Sequence, residues 1–203
     1  RSVNPLVNAG ALAAVSLIEA GNAEDRWRQL LHWYRRFAGT ELELIPDVDE
    51  SVRETGHRNR AMANLLYSYA RLYADPEETR DVYNRQSSVG VTTRDLAVMG
   101  ATLANGGVNP VTGQRVLDSE HVTKVLAVMM MAGMYDGAGR WAFDVGLPAK
   151  SGVGGGIVAV VPGRLAIAAF SPRLDEDGNS VRAGRAIRRI AEELDLGLFG
   201  SAD

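Results

Sequence analysis

Residues 148–161 read Pro148-Ala149-Lys150-Ser151-Gly152-Val153-Gly154-Gly155-Gly156-Ile157-Val158-Ala159-Val160-Val161. A cation and a small hydroxyl precede four glycines within five residues, and an apolar run of strand type follows. Glycine reaches torsions closed to other residues and lets a ligand approach the main chain. Lys150 supplies positive charge and Ser151 a hydroxyl. The amides from Gly152 to Gly154 are free to turn toward an anion or a developing oxyanion. A glycine-rich strand entry that binds nothing has the same composition, so the rest of the chain has to decide between the two.

The chain has 203 residues, 46% of them apolar and 23% charged, with a net charge of −3. That is an ordinary balance for a soluble globular protein with a real core, and it offers no footprint for nucleic acid. Cysteine is absent, which excludes disulfides, thiolate catalysis and Cys-ligated metal. No apolar run reaches membrane-spanning length, and the start has no signal-peptide character. Of 22 basic residues only Lys124 and Lys150 are lysines. A chain that uses arginine for its solvated surface has little reason to spend a lysine among glycines.

Outward from that stretch, the chain divides into a mainly helical part, 5–134, and a part of sheet strands plus a terminal helix, 139–203, read together as a single domain over 1–203. Apolar periodicity predicts helices over 5–20, with a cap and first turn at Asn4-Pro5, and over 23–38. A short helix is expected within 47–57. A further helix over 58–73 is expected to bury Ala61, Leu65, Leu66, Tyr69 and Leu72, with Tyr67, Tyr69 and Tyr73 as packing aromatics. Asp75-Pro76 and Thr92-Thr93-Arg94-Asp95 start the next two helices, and Asp118 caps another. Strands are expected over 141–145, 156–161 and 165–170, the last two joined through Pro162-Gly163-Arg164. A final helix covers about 181–194. Helices followed by an antiparallel meander give an α+β fold whose sheet is thin, with edges left to protect.

Three scattered histidines form no metal-ligand pair, and no cofactor is implied. A phosphate loop follows a strand and opens a helix, whereas Gly152–Gly156 precedes a strand. Lys-Ser-Gly entering a strand fits serine acyl-transfer chemistry instead, where the lysine sets a positive field and strand amides stabilise a tetrahedral oxyanion.

Seven separated blocks then carry a specific resemblance. They are Asn4 to Ala11; Glu54 to Ala61; Tyr83 through Ser88 with Val91 to Ala97; Thr102 to Gly107; Gly133 to Asp136; Pro148 to Ile157; and Gly178 to Val181. In these, in order and over essentially the whole chain, the sequence resembles the serine-dependent glutaminases, which are similar in fold to the serine β-lactamases and penicillin-binding proteins. The resemblance implies hydrolysis of L-glutamine to L-glutamate and ammonia through an acyl-enzyme, in a cytoplasmic homo-oligomer with no nucleic-acid or membrane partner. It assigns substrate contacts to Asn8, Asn59, Tyr83 and Tyr135, with Tyr135 also moving a proton. Val153 offers its backbone amide to the oxyanion hole, supported by Lys150, Ser151 and Gly152.

Two departures accompany the match. Val52 stands where the family carries a glutamate, the partner of the substrate ammonium. The family's Ser-x-x-Lys nucleophile pair is not in the chain, so an N-terminal segment bearing it and further strands is expected upstream, and these 203 residues alone are expected to be inactive. A non-catalytic amino-acid-binding or scaffold descendant, suggested by Val52 and the absent pair, is the alternative. A β-lactam-acylated enzyme is permitted by Lys-Ser-Gly but opposed by the other blocks.

Overall fold

The computed structural model describes Asn4 and residues 6–199. By its internal contacts the chain forms two compact units, one of residues up to Arg35 with Glu41–Gly90, the other of Arg36–Thr40 with residues from Val91 on.

The first unit is helical. Its elements are α1 (Asn8–Ser16), most of α2 (Ala23–Ala38), α3 (Pro46–Thr55), α4 (His57–Ser68) and α5 (Pro76–Ser87). α5 lies against α1, α3 and α4. Leu12, Ala63, Leu66, Leu72 and Tyr83 bury themselves together, and Val15, Trp27 and Val82 form a second cluster. Asp75 caps α5 as its position before Pro76 predicts: its side chain accepts from the amides of Glu77 and Glu78, satisfying two donors that the helix cannot.

Two expectations for this unit change. Helix α1 starts at Asn8, not residue 5. The Asn4 side chain accepts the Leu6 amide at 2.9 Å and Val7 is extended, so the chain turns once before the helix; Pro5 lies outside the described residues. Helix α4 stops at Ser68. Ala70 takes φ 52°, and the amide of Arg71 closes onto the Leu66 carbonyl at 2.8 Å, a left-handed helix end made without glycine. The face that α1 and α5 cover holds Ala63 and Leu66, whereas Leu65 and Tyr69 are 56% and 69% exposed. Ala61 is exposed as well. Tyr67, Tyr69 and Tyr73 are surface residues, not packing aromatics.

The second unit holds α6 (Thr93–Ala104), α7 (Ser119–Ala132), a 3₁₀ turn (Tyr135–Gly137), α8 (Ala138–Asp144), β1 (Ala149–Ser151), β2 (Gly156–Val161), β3 (Leu165–Phe170) and α9 (Val181–Glu193). The antiparallel sheet runs in the order β1-β2-β3, with Lys150 opposite Val158 and Val158 opposite Ala168. Helix α6 packs on β2 and β3 so closely that a Cβ at Gly100 would lie 2.7 Å from Ala166 Cβ and 2.8 Å from Val158 Cγ2. The alternate residues Ile157, Ala159 and Val161 point the other way, into a core with Trp141, Ala183 and Ile187. Thr92 and Asp95 complete a capping box at the start of α6.

The strand expected over 141–145 is a helix, α8. Trp141, Phe143 and Val145 alternate as a strand would, but Phe143 is 91% exposed while Ala138, Trp141 and Val145, at helical spacing, are buried. The Trp141 indole donates to the Leu147 carbonyl at 2.9 Å, and Gly146 at φ 67° ends the turn. The third strand is Ala149–Ser151, inside the glycine-rich stretch itself. No helix among the described residues is long and apolar enough to cross a membrane.

Candidate active site

In the first unit, Asn8 opens α1 and Asn59 sits in the first turn of α4. Asn8 Nδ2 donates to Asn59 Oδ1 at 3.0 Å. Asn59 is therefore not a helix cap; its carbonyl is spent on the facing amide, leaving donors of both side chains for a ligand. Tyr83 is buried on α5 beside Leu12, so the apolar wall that fixes α1 also fixes this phenol. Tyr34 of α2 stands near it: burial, and then the neighbouring Tyr83, push the Tyr34 hydroxyl up to about 12. Sequence reasoning missed Tyr34, which reads only as part of an apolar helical stripe. Val52 is half-buried in α3.

The second unit brings together Tyr135, Lys150 and Val153. Tyr135 holds φ 53°, a left-handed conformation that costs a non-glycine residue about 1–3 kcal/mol. Three neighbours surround it. The Val153 backbone amide lies near its phenol oxygen. Lys150 Nζ lies 4.5 Å from the ring centroid. Gly178, at φ 90°, leaves room for the ring, since a Cβ there would sit 3.7 Å from Tyr135 Cε2 and 3.6 Å from Val153 Cγ1. The Asp-Gly-Asn run at 177–179 signals a turn, and Gly178 opens the last matching block, but neither signal gives it this packing role.

The glycine-rich stretch makes β1 and a tight loop. Pairing of β1 with β2 ends at Ser151 opposite Ile157. The Gly152 amide closes the loop onto the Gly156 carbonyl at 2.9 Å, and Gly155 donates to Gly152. Gly152 is thus not an open donor, contrary to the expectation that all amides from 152 to 154 are free, because a loop this short needs that bond to turn back. Val153 lies past the last strand pair and is 71% exposed. The Ser151 side chain is buried, its Oγ without a partner among the described residues. Lys150 is half-buried; desolvation brings its ammonium down to about 8, and Nζ donates to the Ser151 carbonyl. Desolvation raises the Tyr135 phenol, and the nearby Val153 backbone amide opposes that rise. A phenol kept neutral by burial, beside an amine whose ammonium is weakened by desolvation and near a backbone donor, is equipment for proton transfer and oxyanion stabilisation.

A family model described as Glutaminase matches residues 1–199. A glutaminase of Colwellia psychrerythraea is 54% identical over 199 residues, covering 98% of this chain and 64% of that protein. Glutaminase 1 of Escherichia coli K12 is 53% identical with the same coverage. Among solved structures, a probable glutaminase, YbaS, superposes with a TM-score of 0.96 at 53% identity, over 98% of this chain and 64% of that one. The Bacillus subtilis glutaminase YbgJ, solved as a covalent complex with 5-oxo-L-norleucine formed from 6-diazo-5-oxo-L-norleucine, gives 0.92 at 36% identity, over 95% of this chain and 69% of that one. The chain thus spans about 64% of the length of the curated relatives named here.

Proposed function

The chain belongs to the glutaminase family, and from that premise we propose that the protein hydrolyses L-glutamine to L-glutamate and ammonia through a serine acyl-enzyme. The observation that carries this reading is the convergence of the Tyr135 ring, the Lys150 ammonium 4.5 Å from its centroid and the Val153 main chain just past the last strand pair. In the proposed reaction the Val153 amide stabilises the substrate carbonyl oxygen as it becomes an oxyanion, a role worth about 2.7–4 kcal/mol per donor. Tyr135, kept protonated by burial, gives a proton to the departing ammonia and recovers it with help from Lys150. Asn8, Asn59 and Tyr83 supply amide and phenol contacts suited to the α-amino and α-carboxylate groups of a free amino acid.

These 203 residues hold no Ser-x-x-Lys pair, so the reading assigns the attacking serine to sequence outside them. The same reading makes the enzyme a cytoplasmic homo-oligomer. The test is reaction of the native protein with 6-diazo-5-oxo-L-norleucine, followed by peptide mapping and a glutamate-release assay. An adduct on a serine outside residues 1–203, with turnover of glutamine, is expected. An adduct within them would overturn the placing of the nucleophile.

A second reading, a non-catalytic amino-acid binder, is favoured by one observation, the apolar Val52 where the resemblance expects a glutamate. Calorimetric binding of glutamine or glutamate without any turnover would select it.

A further inference from the structure

Behind the Tyr135 turn, a groove of about 270 Å³ runs between α8 and α9 over β2. Its apolar wall includes Trp141 and Ile157, and charged residues of both signs line it. Asp144 is satisfied by Arg188 at 3.5 Å and Arg140 at 3.9 Å. Asp177 and Arg185 also line the groove, yet among the described residues neither has a side-chain hydrogen bond or ion pair, with each other or with a third group. One cavity therefore carries an unpaired carboxylate and an unpaired guanidinium that do not meet.

Gly184 explains why the groove is open. It lies inside α9, where glycine weakens a helix. A Cβ there would meet only Ile157 Cδ1 and Trp141 Cζ3, each at 3.8 Å, which is ordinary contact. Packing demands glycine at Gly100, where the same atom would fall inside 3 Å of the sheet; at Gly184 it does not. What the missing side chain leaves is volume over the apolar wall.

The groove also touches the site. Met134 and Gly137, flanking Tyr135, line it. Asn179 Nδ2 donates to the Met134 carbonyl at 3.2 Å, and a Cβ at Gly137 would be 3.1 Å from Asp177 Oδ2. Gly178, between those two residues, supports the Tyr135 ring and Val153.

We propose that this groove is a second ligand site, which takes a small zwitterion, a free α-amino acid with an apolar side chain, and whose occupancy sets the position of the Tyr135 turn. The ammonium goes to Asp177, the carboxylate to Arg185, and the side chain lies over Trp141 and Ile157. The volume is below the ~300–1,000 Å³ of sites for drug-sized molecules, which selects a ligand of amino-acid size. Nothing in this rests on the chemistry proposed for the site itself.

The experiment compares L-leucine with its two monopolar halves, 4-methylpentanoate and 3-methylbutylamine, each up to about 10 mM, by thermal shift and by the amide resonance of Val153 in ¹⁵N-labelled protein. L-leucine is expected to raise Tm saturably, to move the Val153 resonance, and to bind about tenfold or more tighter than either half. Gly184→Val fills the groove: its unliganded Tm is expected to hold or rise while the leucine response vanishes. Arg185→Gln, on the exposed rim, is expected to weaken L-leucine and 4-methylpentanoate but not 3-methylbutylamine, and it serves even if Gly184→Val fails to fold. No saturable response to L-leucine, an equal response to either half, or a response unchanged in either variant overturns the proposal.

Discussion

Lys150 Nζ lies 4.5 Å from the centroid of the Tyr135 ring. Tyr135 sits at φ 53°, and Val153, just past the last strand pair, has its backbone amide near the same phenol. A cation, a phenol and an amide outside the strand pairing therefore face one another across a loop of glycines. A backbone donor fixed before any ligand arrives needs no reorganisation to meet developing charge.

Tyr135→Phe removes the hydroxyl, and with it the proton the proposed reaction transfers, while keeping the ring beside Lys150 and Gly178. The expected outcome is a fall in kcat of about 10²-fold or more, with Tm little changed. Steady-state kinetics beside a thermal melt checks it. A loss of Tm matching the loss of activity would make Tyr135 a packing residue only.

Lys150 gives a pH prediction. Burial brings its ammonium down to about 8, whereas the unfolded chain protonates near the usual lysine value of about 10.4. Between those values the unfolded state binds more protons, so stability rises with pH from about 8 to about 10.4, by up to about 3 kcal/mol, and is flat with respect to this group below 8. Denaturant unfolding at a series of pH values should show the rise in the native protein and its absence in Lys150→Met. On the reading that the neutral amine serves Tyr135, kcat/KM also climbs with an apparent pKa near 8.

Much of the fold was legible because its signals are local. Asp75 and the Thr92–Asp95 pair cap helices through bonds to residues two and three positions away. The strands 156–161 and 165–170 are joined by a proline-glycine turn that reads directly. What was illegible depends on distant groups. Trp141, Phe143 and Val145 satisfy both periodicities, and the bond from Trp141 to Leu147 settles on the helix. The buried side of α4 is decided by α1 and α5, not by its own sequence, and Ala70 ends it with no glycine to announce the stop. At the site, the chemical types at 135, 150 and 153 were readable. Which loop amides remain outside the backbone pairing was not, because the Gly152–Gly156 and Gly155–Gly152 bonds choose them.

Gly133 should tolerate no side chain. It ends α7 against β1, and an added Cβ would lie 1.7 Å from the Ala149 carbonyl oxygen and 2.5 Å from that of Met129. Both obstacles are backbone and cannot swing away. Gly133→Ala is expected to cost about 3 kcal/mol or more and to shift β1, carrying Lys150 with it. Gly139, exposed in α8 with nothing within 4 Å, is the control: Gly139→Ala should stabilise by up to about 1 kcal/mol. Chemical denaturation of both variants decides it.

Asp95 accepts from the Thr92 amide and hydroxyl, at 2.8 and 2.7 Å, and those bonds, the amide first, hold its carboxyl below the usual range. A depressed carboxylate contributes stability above its unfolded value and loses it as pH falls through the folded one. Asp95→Ala should therefore cost about 1 kcal/mol at neutral pH, and less as the solution is taken through pH 4 toward strong acid. Unfolding curves at neutral and acid pH test both parts.

Val52→Glu addresses the departure from the family directly. Val52 is half-buried on α3, which packs on α5, the helix bearing Tyr83. On the reading that the substrate ammonium docks beside α3, a carboxylate at that position restores its partner, and a charged hydrogen bond contributes about 1.5–3 kcal/mol. If the amino-acid subsite is built from Asn8, Asn59 and Tyr83, KM for glutamine should fall by about tenfold or more, since the ammonium is held alike in the ground and transition states, and kcat should barely move. The cost of placing a charge on a half-buried helix should appear as a lower Tm in the unliganded variant, recovered on adding glutamate. A KM unchanged or raised, with no rescue of Tm by glutamate, would mean that residue 52 does not face the substrate and that this chain anchors the ammonium through other groups.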